Sequence, residues 1–112
     1  MDYKTIANDG IVEEEIKKSR FICHLKRISN EEEGREYIAQ IKKEHHKANH
    51  SCSAMIVGED GQIKRSSDDG EPSGTAGVPM LTVLEKQGLT NVVAVVTRYF
   101  GGIKLGLSLI HI

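Results

Sequence analysis

Asn91-Val92-Val93-Ala94-Val95-Val96-Thr97 decides the fold. The run is apolar, mostly β-branched and free of polar alternation. Such a run reads as a central strand buried on both faces, because a strand with one wet face would alternate. The rest of the chain must therefore supply neighbouring strands and cover. Just upstream, Val78, Leu81 and Leu84 form an inward helical stripe, Pro79 suits the first turn, and Gly88 is the stop signal. Before that, Cys52 to Val57 reads as a strand. Gly58-Glu59-Asp60-Gly61 turns it into a return strand around Gln62 to Ser66.

The N-terminal half continues the pattern. Ser29 and Glu32 have the spacing of a capping box. Tyr37, Ile38 and Ile41 then mark one helix face, with Lys42 and Lys43 in a last turn that ends near His45. Ile11 to Ile28 reads as a hairpin turned near Lys17-Lys18-Ser19. In it Phe21, Cys23 and Leu25 alternate with His24 and Lys26, the period of a half-buried strand. The order β-β-α-β-β-α-β predicts a two-layer α+β domain with helices on one face of the sheet. Its aliphatic core should draw on Ile38, Ile41, Ile56, Leu81, Leu84, Val93 and Val95.

Composition narrows the function classes. A chain of 112 residues holds one core rather than two. Fifteen basic and 16 acidic residues leave a net charge of -1, so no global field attracts a polyanion. No apolar run is long enough to span a membrane, and Met1-Asp2-Tyr3-Lys4 lacks a signal segment, so a cytosolic location is expected. Cys23 and Cys52 read as reduced, structural thiols.

Two glycine-rich segments are the candidate site. Asp68-Asp69-Gly70-Glu71-Pro72-Ser73-Gly74-Thr75-Ala76-Gly77 leads straight into the second helix. Its glycines permit close approach, and free N–H groups at the helix start would attract an anion. Candidate binding residues here are Asp68, Asp69, Gly70, Glu71, Ser73, Gly74, Thr75 and Gly77. The second segment follows the central strand and adds Arg98, Tyr99, Phe100, Gly101, Gly102 and Lys104. His50 is placed to orient the first loop through a ring hydrogen bond. Since sequential elements are joined by short connections, Arg98 should lie within salt-bridge or hydrogen-bond reach of Asp68 to Ser73.

Other chemistries are weaker. His45, His46, His50 and Cys52 are close in sequence, but no Cys-x-x-Cys pair supports zinc. His50 and Cys52 share a strand face without a third group to orient a nucleophile. Asp68, Asp69 and Glu71 could hold a hard cation, giving a metal-assisted enzyme acting on a nucleotide or RNA phosphate as one alternative. No Walker lysine follows the loop. No catalytic residue, metal ligand or cofactor is assigned.

Four segments, Lys18-Ser19-Arg20-Phe21, His50-Ser51-Cys52-Ser53-Ala54, Asp68 to Gly77 and Thr97 to Gly106, resemble the IMPACT (imprinted ancient) family, most closely its bacterial YigZ-type members. The resemblance covers residues 1–106. It implies a fold like the second domain of small-subunit ribosomal protein five, with a left-handed β-α-β crossover. It also implies a translation regulator that contacts the ribosome, RNA or a translation-associated protein, with no membrane. A protein-interaction module without nucleic-acid binding is a further alternative. Leu107 to Ile112 departs from the family pattern, so the expectation is a domain lacking its last helix, a non-family tail at 107–112 and no second domain. Self-association through the face so exposed is then expected.

Overall fold

The computed structural model describes residues 10–16, 19–71 and 73–99. The expected chain order holds: β1 Gly10–Ile16, β2 Ser19–Arg27, α1 Glu31–Glu44, β3 His50–Val57, β4 Ile63–Ser67, α2 Gly77–Lys86 and β5 Val92–Tyr99. The five strands form one sheet in the order β1-β2-β5-β3-β4, and every neighbouring pair is antiparallel. The fold is α+β. The run from Val92 is the middle strand, and Val92, Val93 and Val95 are completely buried. A branched apolar strand lies where both faces are covered, as its lack of alternation requires.

Local chemistry sets the helix ends. Asn30, not Ser29, caps α1: its side chain accepts from the Glu33 N–H, and Glu33 returns a carboxylate to the Ser29 N–H at 2.7 Å. The capping box is thus shifted one residue from its expected position, because Asn is at least as good a cap as Ser. The acidic first turn and Lys42 and Lys43 in the last turn suit the helix dipole. α2 ends in a Schellman motif: the Leu89 N–H donates to the Leu84 carbonyl and the Gly88 N–H to the Glu85 carbonyl. Gly88 takes φ of +70° there.

The helices do not share a face. Ile41 of α1 packs with Met55, Val57, Val93 and Val95. Leu84 of α2 packs with Ala54, Ile56, Val92 and Ala94. Successive strand residues point to opposite faces, so these two clusters lie on opposite sides of the sheet. The expectation of helices on one face is corrected, and the reason is visible in β5 itself. A strand apolar at every position needs one helix above it and another below. Val78 is likewise corrected, since it is 51% exposed and the inward side of α2 is instead Gly77, Leu84 and the half-buried Met80 and Leu81. The half-buried reading of β2 also fails, because His24 is 3% exposed and Arg20 1%. Of the expected core, Ile41, Ile56, Leu84, Val93 and Val95 are buried and Ile38 and Leu81 half-buried.

Among the described residues, no helix is long and apolar enough to cross a membrane. Phe100, Gly101, Gly102, Lys104, the 107–112 tail, Pro72 and the Lys17–Lys18 connection lie outside the described residues.

Candidate functional site

The loop from Asp68 is built around its own carboxylates. Asp68 accepts three backbone N–H bonds: from Gly74 at 2.9 Å, Ala76 at 3.2 Å and Gly77 at 2.8 Å. Those donors hold its carboxyl below the usual aspartate range. Ala76, at the cap position of α2, offers no side-chain cap, and Asp68 supplies one from eight residues upstream. The anion site expected at this helix start is therefore filled from within the chain.

Asp69 and Glu71 are engaged as well. The Asp69 carboxylate accepts from the Ser51 N–H at 2.7 Å and pairs with Lys42 at 3.3 Å. These bonds hold Asp69 at φ +47°, a region few non-glycine residues adopt. His50 bonds through Nδ1 to the Asp69 carbonyl at 2.8 Å. A carbonyl can only accept, so Nδ1 carries the proton. His50 thus orients the loop as expected. A Cβ on Gly70 would stand 3.2 Å from that same nitrogen. Glu71 accepts from Arg98 Nη1 through both carboxylate oxygens, at 3.1 and 2.9 Å. Arg98 is therefore within reach of the loop, as the short connections require.

The carboxylates diverge to different partners, and no group of three metal-binding side chains occurs among the described residues. Cys52 donates its S–H to the Asp68 carbonyl at 3.2 Å. Burial, followed by the charges of Glu71, Asp69 and Asp68, pushes its thiol up to about 11. A protonated thiol is a poor nucleophile at neutral pH. His45 and His50 also part company. His45 turns to Tyr99, while His50 lies on the strand face of Arg98.

With its ionic groups satisfied internally, the loop walls a groove of about 490 Å³ on the α2 face of the sheet. Its lining is largely apolar: Phe21, Cys52, Ala76, Met80 and Val96, with Thr75, Glu71 and Arg98. The Arg98 guanidinium lies 5.5 Å from the centre of the Phe21 ring. His50, Asp68, Asp69, Gly70, Glu71 and Arg98 come together as expected, and Thr75 lines the groove. Ser73 and Gly74 are exposed. Gly77 serves packing, since a Cβ there would meet the Ser67 backbone nitrogen at 2.7 Å. Tyr99 points to the other face.

That other face holds a partly buried polar cluster, with Arg20 and His24 at its centre, which sequence reasoning missed. Tyr99 Oη lies 2.7 Å from His45 Nδ1, and the His45 ring is centred 5.1 Å from that of His24. Arg20 lies over the Tyr99 ring at 5.4 Å and bonds Glu13 at 2.5 Å. Neither His24 nitrogen has a hydrogen-bond partner among the described residues. Burial lowers the proton affinity of His24, and the neighbouring His45 lowers it further; burial also lowers that of His45. Stability is expected to fall as the pH drops through the histidine range, because the unfolded chain binds protons more readily than the folded one. The contribution is complete above about pH 6.5 and is lost as the pH falls towards the lowered native values. Urea midpoints at about pH 7.5 and 5.5 measure it, and His24→Phe should flatten the difference. An unchanged difference in that variant would remove His24 as the source.

Comparison with known proteins agrees with this geometry. Residues 17–111 match the family described as the Impact N-terminal domain. The chain is 60% identical over 104 residues to the IMPACT family member YvyE of Bacillus subtilis, covering 93% of this chain and 48% of that protein. It is 47% identical over 97 residues to YigZ of Escherichia coli, covering 85% and 48%. The chain thus spans about half the length of these relatives. Among solved structures, the two-domain translational regulator Yih1 superposes with a TM-score of 0.64 at 26% identity, covering 90% of this chain and 41% of that one. The match over residues 17–111 and these identities lead to one assignment: this chain belongs to the IMPACT family.

Proposed function

We propose that the chain is the partner-binding domain of a cytosolic translation regulator, and that its groove receives an apolar side chain of a translation-associated protein. The observation that carries this reading is the internal use of the loop's charges. Asp68 occupies the helix N-terminus, Asp69 holds Ser51 and Lys42, and Glu71 neutralises Arg98. A phosphate would have to displace a carboxylate at each of these places. An apolar side chain needs only the open groove between Val96 and Met80. Burying one such side chain would contribute about 1.5–3 kcal/mol to binding. The similarity to a translational regulator supplies the setting.

Val96→Asp is expected to abolish capture of a translation-machinery protein from cytosol, and the rim variant Thr75→Arg should weaken it. Ribonuclease should leave wild-type capture unchanged. Capture abolished by ribonuclease would instead favour RNA, through Arg98 and Phe21. Magnesium-dependent turnover of a nucleotide would favour the enzymatic alternative.

A further inference from the structure

β4 is the outermost described strand at one edge of the sheet. Its inner edge pairs with β3, from Ser53 opposite Ser67 to Val57 opposite Ile63. In an antiparallel strand alternate residues turn N–H and C=O outward, and no described strand meets them here. A cleft of about 240 Å³ adjoins this edge on the α1 side. Glu31, Arg35, Ile38 and Lys42, one stripe of α1, form its wall. Ser53 and Met55 also line it, and Arg65 reaches in from β4.

Charge selects what this edge can accept. The side chains of Arg35 and Arg65 are 68% and 57% exposed, while Lys42, 43% exposed, pairs with Asp69. Among the described residues one carboxylate lines the cleft, and a single oxygen of it, Glu31 Oε2, accepts from both Arg35 and Arg65. Arg65 also donates through Nη1 to the Lys64 carbonyl at 2.9 Å, and a guanidinium has more N–H donors than these acceptors fill. We infer that the β4 edge and the α1 cleft form a docking site for an acidic, extended segment of a partner protein. The segment adds to β4 as a further strand and sets its carboxylates against Arg35 and Arg65.

A second copy of this chain is a poorer occupant, because two β4 edges would bring Lys64 and Arg65 against like charges. RNA is poorer too. Glu31 stands between the two arginines, and among the described residues no aromatic ring lines the cleft to stack a base.

The test uses the full 112-residue chain. The probe is a peptide of about eight residues alternating glutamate and valine, the length of a typical strand. Amide exchange should slow at alternate residues of β4, with resonance shifts at Arg35 and Arg65. Arg65→Glu and Arg35→Glu, both at exposed positions, should each weaken binding at least about tenfold. A lysine-valine peptide should not bind, and salt should weaken the glutamate peptide. Several results would overturn the inference: no change at β4 with about millimolar peptide, equal binding of the lysine peptide, or peptide shifts confined to Thr75 and Val96. A short RNA that binds β4 more tightly than the peptide would overturn it as well. So would concentration-dependent broadening of β4 without peptide, which would assign the edge to a second copy.

Discussion

Gly77→Ala is expected to destabilise the domain by about 3 kcal/mol or more, a large share of a small domain's stability. A Cβ at this position would lie 2.7 Å from the Ser67 nitrogen, 2.8 Å from its oxygen and 2.9 Å from its carbonyl carbon. All three atoms belong to the backbone of β4, so no rotamer change relieves the clash. Either α2 shifts off the sheet or β4 moves, and both positions are held by Asp68 and the β3 ladder. Gly74→Ala is the control. Its Cβ would meet nothing within 4 Å, and its φ of +78° is the only obstacle. That variant should lose about 1 kcal/mol. Urea midpoints of the two variants against wild type measure the difference. Equal, small losses would mean that the start of α2 does not pack against β4.

Glu13→Ala should be the next most damaging change, at about 3 kcal/mol. Its partner Arg20 has a side chain only 2% exposed, and Glu13 gives it the salt bridge at 2.5 Å. Removing the carboxylate leaves a buried guanidinium that has the Tyr99 ring and the nearby His45 around it among the described residues. The loss comes from an uncompensated charge rather than from the value of the pair itself. The double variant Glu13→Leu with Arg20→Met should therefore recover much of it. Thermal or urea unfolding of the three chains decides this. A double variant as unstable as Glu13→Ala would show that the damage lies elsewhere in β1.

Much of the architecture was legible because single residues carry strong local preferences. The branched run of β5, Gly88 after α2 and the paired glycines between β3 and β4 each mark an element or its end. The proximity of Arg98 to the loop followed from short connections alone. The side of the sheet taken by each helix was harder to read. It depends on which parity of β3 and β5 meets which helix, and a strand apolar at every position hides parity. The burial of Arg20 and His24 was hidden for a related reason. An alternating polar residue normally means solvent, yet β2 lies beside the central strand, where the rings of His45 and Tyr99 close over His24 and Arg20. The Asp68 cap was illegible too. A cap eight residues from the helix start has no fixed spacing, and only the folded loop brings the carboxylate to the Gly77 N–H. That one contact shifts the reading of the site from an anion acceptor to an apolar groove.

Cross-linking from inside the groove tests that reading most directly. A photoreactive residue at Thr75, which lines the groove, is compared with one at Glu59, exposed in the turn after β3. Each chain is irradiated in cytosol with and without ribonuclease, and its adducts are identified by mass spectrometry. The expected result is a protein of the translation machinery joined at Thr75, absent from Glu59 and indifferent to ribonuclease. Adducts to RNA at Thr75, or the same adducts from both positions, would contradict a protein-binding groove.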